Sequence, residues 1–159
     1  MKALALLVIG VAVTACTLSG SSEPAPSVDE ATATELQARA IMRACRDVVC
    51  AGAPIYAPES TSEQLRAELL KHTDEVRYVS ATEVESATSS SGRFDDGATM
   101  FEAESPHDTA KANVVGVDVW ITKGFQDAAR RTYLFAWDGT EWIDTTADAS
   151  GVTVTSSVS

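Results

Sequence analysis

From residue 99 onwards, polar and apolar residues alternate, and this period of two predicts β-strands. The clearest strand runs from Val114 to Lys123. Its branched apolar residues fall on one face: Val115, Val117, Val119 and Ile121. The same alternation predicts further strands at residues 99–104, 131–137, 141–146 and 152–158.

The dipeptide Asp138-Gly139 separates two of these strands and is a strong signal for a tight hairpin. If these two residues form the loop, counting back pairs Phe135 with Trp142. Aromatic side chains then crowd one face of the hairpin. They either pack in the core, which is the commoner arrangement, or form a patch that binds a ligand. The candidate ligand-binding residues are Trp120, Tyr133, Phe135, Trp137 and Trp142.

The spacing of apolar residues before the sheet region is that of α-helices. A first helix is predicted to begin at Ser27, whose spacing to Glu30 fits a capping box, and to end near Asp47. A second helix is predicted to end near His72.

Short extended segments at residues 53–57 and 76–79 lie on either side of the second helix. The order strand, helix, strand is typical of a parallel crossover. Residues 80–97 show no clear period and are predicted to form a long loop.

These elements predict an α+β fold, with two N-terminal helices packed on a curled, mostly antiparallel sheet of about five or six strands. Helices followed by such a sheet, with a hairpin reading Asp-Gly-x-x-Trp, are similar in pattern to cone-shaped nuclear-transport-factor-like domains. The strand–helix–strand start departs from that pattern, so no pocket residues are carried over from it.

The chain begins with Lys2 and an uncharged apolar run from Ala3 to Ala15. This run is shorter than the ~20 residues that a membrane-spanning helix needs, and it has the length of a signal-peptide core. It ends in the tetrapeptide Val-Thr-Ala-Cys at positions 13–16, which resembles the lipobox of bacterial lipoproteins. The alternative is an ordinary secretory signal with a chance cysteine.

The resemblance implies that Cys16 carries diacylglycerol and becomes the first residue of the mature protein. Residues 1–15 would then be the signal peptide, and residues 16–26, rich in Ser, Gly and Pro, a flexible tether. Residues 27–159 have the length of a single globular domain. The predicted location is the cell membrane, on its extracytoplasmic side.

Acidic residues outnumber basic ones, and the net charge is −11. Cleavage after residue 15 removes one lysine and no acid, which makes the mature charge one unit more negative. Nucleic acid is not expected as a partner because phosphate binding needs clustered Lys and Arg. The expected partners are the membrane, through the lipid, and an envelope protein or a small molecule.

Two cysteines, Cys45 and Cys50, remain in the predicted exported domain. An even pair in an exported protein is most simply a structural disulfide. A redox-active pair is the alternative, but four residues separate these cysteines and the dithiol motif has two. Two thiols without a matching Cys or His pair do not predict a zinc site.

Motifs that carry catalysis or cofactor binding are not evident, so no cofactor and no metal are predicted. His107-Asp108 follows Ser105-Pro106 in a predicted loop and is the one candidate acid–base cluster. The sequence therefore favours a lipid-anchored extracytoplasmic binding or interaction domain without catalysis. The alternative is an envelope hydrolase that uses scattered carboxylates or His107.

Overall fold

The computed structural model describes residues 24–48, 50, 52–88, 92–124 and 127–146, and the backbone of residues 155 and 156. Its helices are α1 (Glu30–Val48), α2 (Glu63–Leu70) and α3 (Ala81–Ser86). Its strands are β1 (Ile55–Pro58), β2 (Val76–Val79), β3 (Thr99–Ala103), β4 (His107–Asp108), β5 (Val114–Thr122), β6 (Ala128–Trp137), β7 (Trp142–Asp144) and β8 (Thr155–Ser156).

Cys16, with the predicted signal peptide and most of the tether, lies outside the described residues. The same holds for the strand predicted at 152–158, apart from β8. Among the helices of the described residues, none combines the length and the apolar character that a membrane span requires.

The strands form one mixed, eight-stranded sheet whose main path is β2-β1-β3-β5-β6-β7. β1 lies parallel to both β2 and β3, and the remaining pairs are antiparallel. β4 continues the line of β3 along β5, and β8 pairs with β6. The predicted parallel crossover through α2 is confirmed.

The α+β class is confirmed, but the prediction of two N-terminal helices is wrong. Only α1 precedes the first strand, because α2 connects the parallel strands β1 and β2. The sheet also has more strands than the predicted five or six, and two of its pairings are parallel.

The segment predicted as a long loop contains the helix α3. Ser80 starts it with a capping box, because its hydroxyl accepts from the Glu83 amide and the Glu83 carboxylate accepts from the Ser80 amide. Capping, rather than apolar periodicity, defines this helix, since none of its residues is buried. These hydrogen bonds lower the pKa of the Glu83 carboxyl.

The helix α1 begins later than predicted. The carboxylate of Asp29, rather than the side chain of Ser27, accepts a hydrogen bond from the first turn, at 2.8 Å from the Thr32 amide. This bond lowers the pKa of the Asp29 carboxyl. Near the other end of α1, Cys45 and Cys50 lie at disulfide-bonding distance, with their Cα atoms 5.3 Å apart, as predicted.

The main core lies between α1 and one face of the sheet. Leu36 and Ile41 of α1 pack there against the alternating residues of β5, which are buried as their spacing predicted. α2 adds two leucines to the same side. A second, smaller cluster lies on the opposite face, where Val84 of α3 packs near Tyr56 and Phe94.

The hairpin between β6 and β7 has a longer loop than predicted. Trp137 pairs with Trp142, so four residues rather than two connect the strands. The Asp138 carboxylate closes the loop by accepting hydrogen bonds from the amides of Thr140 and Glu141. These bonds lower the pKa of the Asp138 carboxyl. Because the register differs by two residues, every side chain keeps its predicted face.

The buried Tyr133 makes the free energy of unfolding depend on pH. Its ring is buried, its hydroxyl donates to the Asp47 carboxylate at 3.3 Å, and burial together with the Asp47 charge raises its pKa to about 12. An unfolded chain ionises this phenol near pH 10. Above that pH the free energy of unfolding should fall by up to about 1.4 kcal/mol per pH unit, because the folded protein retains a proton that the unfolded chain loses.

Tyr133→Phe should remove this contribution, so its unfolding free energy should decline less steeply above about pH 10 than that of the wild type. Urea unfolding of both proteins at about pH 9 and about pH 11 measures the difference. Equal declines would contradict the assignment to Tyr133. The other two tyrosines, whose pKa values are also raised, are unchanged in this comparison.

Candidate functional site

The sheet face opposite α1 carries a cluster of polar side chains, which we call the outer cluster. Its members come from the segment joining β3 and β4 and from the strands β4, β5 and β6. They are Glu104, His107, Asp118, Trp120, Arg130 and Thr132.

Strand alternation places these side chains together. Val117 and Val119 point toward α1, so Asp118 and Trp120 project from the other face. Asp118 pairs with Thr132, and Trp120 pairs with Arg130, across the ladder between β5 and β6. Directly paired residues share a face, so both pairs belong to the outer cluster.

Asp118 is the buried centre of the outer cluster, with only 8% of its side chain exposed. One carboxylate oxygen accepts from the Thr132 hydroxyl, and the other accepts from the Arg130 guanidinium at 2.5 Å. His107 Nδ1 lies 3.8 Å from the second oxygen. The buried charge is thus paired, as a carboxylate in the middle of a sheet must be.

Arg130 also fixes the position of Trp120. Its guanidinium donates to Glu104 at 3.1 Å, and its central carbon lies 5.6 Å from the centre of the Trp120 ring. The indole Nε1 donates to the other Glu104 oxygen at 2.8 Å. Glu104 is itself anchored, because its backbone amide donates to the Asp118 carbonyl. The partly exposed indole is therefore held in one orientation.

Gly116 makes room for His107. A β-carbon at this position would lie 2.8 Å from the Nε2 atom of the imidazole. The pairing of β4 with β5 sets His107 opposite Gly116 and Asp108 opposite Val115. Successive residues of a strand face opposite sides, so the carboxylate that His107 approaches is Asp118 and not its neighbour Asp108.

The structure separates the five predicted ligand-binding aromatics. Tyr133, Phe135 and Trp142 are buried in the main core, and Trp137 packs against that core with its ring 5.7 Å from that of Trp142. Trp120 is the one member of the predicted set that lies in the outer cluster. The other four aromatic side chains pack in the core or against it, which is the commoner of the two arrangements predicted from the sequence.

Glu104, Asp118, Arg130 and Thr132 were not predicted as site residues. One available signal was Asp118, an acidic residue within an otherwise apolar strand, because such a charge needs a partner in space. A second was Gly116, because a glycine inside a strand marks a close approach by another group. Neither signal identifies the partner, which the sheet pairing supplies.

Chemically, the outer cluster combines a fixed aromatic ring with a bridged guanidinium and two carboxylates. Such a surface binds polar or basic groups and stacks against flat or aliphatic ones. Within the described ranges, no three His, Cys, Asp or Glu side chains are grouped so as to hold a metal ion.

No protein-family model matches the chain, and no curated protein or solved structure matches it significantly. The fold and the site define an α+β domain with a mixed sheet, one face of which is covered by α1 and α2 and the other of which carries the outer cluster.

Proposed function

We propose that the protein is a lipid-anchored, extracytoplasmic binding domain without catalytic activity. Its ligand is a protein of the cell envelope that presents basic side chains to the outer cluster. The lipid on Cys16 attaches the domain to the membrane, as the resemblance of its leader to those of bacterial lipoproteins implies.

The observation that carries this proposal is the fixed, partly exposed Trp120. Trp and Arg are the side chains that contribute most often to the energy of protein interfaces. Hydrogen bonding of the indole to Glu104 and its contact with Arg130 already restrict the ring. Binding therefore costs less side-chain entropy than it would for a free tryptophan.

The carboxylates around Trp120 favour a partner that carries basic side chains. Glu102 and Glu104 are exposed beside Trp120, and Glu102 is its direct neighbour across the ladder between β3 and β5. Arg130 is already shared between Glu104 and Asp118. With the chain at a net −11, these carboxylates favour positively charged groups and repel acidic ones.

Because the lipid holds the domain at the membrane, a modest affinity for the partner is sufficient. Attachment confines the domain to the membrane surface, where a partner in the same membrane meets it at a high effective concentration. Each buried methylene of an acyl chain contributes about 0.8 kcal/mol, so a diacylated cysteine with its two chains holds stably where one chain does not.

Cys16→Ala should abolish lipid attachment. Wild-type cells fed an alkynyl fatty acid should incorporate the label into the protein, and the variant should incorporate none. The double variant C45A/C50A is the matched control, because it removes the other cysteines and should keep the label. Labelling of the Cys16→Ala protein would contradict the proposed anchor.

Trp120→Ala should weaken capture of the envelope partner by about thirtyfold, which corresponds to a hot-spot contribution of about 2 kcal/mol. Crosslinking in intact cells followed by quantification of the co-purified protein measures this loss. Leu70→Ala removes an exposed apolar side chain from α2, on the opposite side of the sheet, and should leave capture unchanged. Undiminished capture by a stably folded Trp120→Ala protein would contradict the proposal.

The alternative function is an envelope hydrolase, which the approach of His107 to Asp118 favours. In that case the wild-type protein would hydrolyse its substrate and His107→Ala would abolish the hydrolysis. We favour binding because Asp118 is already engaged by Arg130 and Thr132, whereas Trp120 presents exposed surface.

A further inference from the structure

The strand β1 lies at a topological switch point. Its parallel neighbours are β2 on one side and β3 on the other. The connection that leaves β1 contains α2, which packs on the same face of the sheet as α1. The connection that leaves β2 contains α3, which packs on the opposite face. In open sheets with parallel strands, ligands bind outside the carboxyl ends of the strands where the connections diverge in this way.

A cavity of about 480 Å³ opens at that position. Its walls are the residues that leave β1 (Pro58, Glu59 and Ser60) and the residues that leave β2 (Val79, Ser80 and Ala81). A smaller cavity of about 200 Å³ lies on the α1 side and shares Pro58 and Ser60 with the first. The two cavities adjoin at these shared residues at the end of β1, and together we call them the crevice; the larger one falls within the usual size of small-molecule sites.

Hydrogen bonds within the protein brace the walls of this crevice. The Arg66 guanidinium donates to the carbonyls of Glu59 and Thr61, and the Glu59 amide donates to the Val79 carbonyl at 2.9 Å. On the opposite wall, the capping box of Ser80 and Glu83 fixes the start of α3. A preformed crevice binds a ligand with little cost of ordering.

The larger cavity has an apolar floor and an acidic rim. Pro58, Val79, Val84 and Met100 contribute the apolar surface, and the exposed Glu59 and Glu85 stand at the opening. None of the ion pairs between described residues includes either of these carboxylates.

Two arginines beside the rim offset its charge only in part. Arg66 keeps its positive charge while it donates to the neutral carbonyls of Glu59 and Thr61, and it lies over the Tyr78 ring, at 4.2 Å from its centre. Arg77 pairs with Glu83. Since Glu59, Glu83 and Glu85 outnumber these two arginines, the opening carries net negative charge above an apolar floor.

From this geometry we propose that the crevice at the end of β1 binds a small organic cation, a molecule with an apolar body and an ammonium group. The apolar body lies on the floor beside Met100, and the ammonium group pairs with Glu59 and Glu85. The larger cavity is lined neither by Glu102 nor by any residue of the outer cluster, so this site is separate from the proposed docking of a protein.

The methionines make the proposal directly testable. Met100 lines the larger cavity, whereas Met42 lines a separate cavity beside the disulfide. The full-length chain, labelled with ¹³C at the methionine methyls and kept in a nonionic detergent, is titrated with phenethylamine. The Met100 signal should shift to saturation, and the Met42 signal should stay in place.

Charge is tested with a matched ligand and matched variants. Phenethyl alcohol, which replaces the ammonium by a hydroxyl, should bind about tenfold more weakly. The double variant E59Q/E85Q should weaken phenethylamine binding by about the same factor, because each exposed ion pair contributes roughly three- to fivefold. Glu141→Gln changes an exposed glutamate in the distant hairpin loop and should leave the affinity unchanged.

Three results would overturn the proposal. One is the absence of a Met100 shift up to the solubility limit of the amine. Another is equal binding of the amine and the alcohol, which would remove the role of charge. The third is unchanged affinity in the folded double variant. Trp120→Ala separates the two sites, because it should weaken protein capture and leave the Met100 shift intact.

Discussion

Gly124→Ala should destabilise the domain by more than about 3 kcal/mol, since it combines backbone strain with a clash that cannot relax. Gly124 has φ +141°, which L side chains rarely adopt. A β-carbon there would overlap the carbonyl of Gly92 and lie 2.5 Å from the Arg93 Cα. These are backbone atoms, held in place because the Phe94 amide donates to the Lys123 carbonyl.

The matched control is Gly139→Ala. Gly139 also has a positive φ, +107°, but a β-carbon there meets nothing within 4 Å. Its replacement should cost only about 1 kcal/mol, from backbone strain alone. Urea unfolding of both variants measures the comparison, and similar losses for the two would show that the contact with residues 92 and 93 contributes little.

Asp118→Ala should destabilise the domain by about 1–3 kcal/mol, because it removes a buried carboxylate that accepts hydrogen bonds from Arg130 and Thr132. The variant leaves Arg130 with Glu104 as its remaining carboxylate and leaves the Thr132 hydroxyl without its acceptor. The loss should appear in equilibrium unfolding at neutral pH.

A double-mutant cycle with Arg130→Met tests the cause. If the pair itself contributes, removing both partners should cost less than the sum of the two single losses. Glu104→Gln is the control within the same cluster, because its half-exposed carboxylate should contribute about 1 kcal/mol or less. A loss for Asp118→Ala no greater than that for Glu104→Gln would contradict the central role of Asp118.

The two stability predictions test different parts of the molecule. Gly124 lies where the chain leaves β5, against the segment that follows α3, and Asp118 lies under the outer cluster. Trp120→Ala should therefore weaken partner capture without changing the free energy of unfolding. Asp118 should affect both, because it holds Arg130 beside the indole.

The sequence by itself determined the faces of the strands. Alternation in β5 placed Val117 and Val119 toward the core, and the hairpin kept its predicted faces although its register differs by two residues. The crossover from β1 to β2 and the pairing of Cys45 with Cys50 were also predictable, because each depends on residues that are near in sequence.

Only the tertiary structure decided which elements are neighbours. Alternation says that Asp118 faces away from α1, but the pairings of β5 with β6 and β4 determine that Arg130, Thr132 and His107 surround it. The position of β1 between β2 and β3, which creates the crevice, is likewise a long-range arrangement. Local periodicity fixes the side on which a residue lies, whereas its partners depend on pairings between distant segments, which no local pattern encodes.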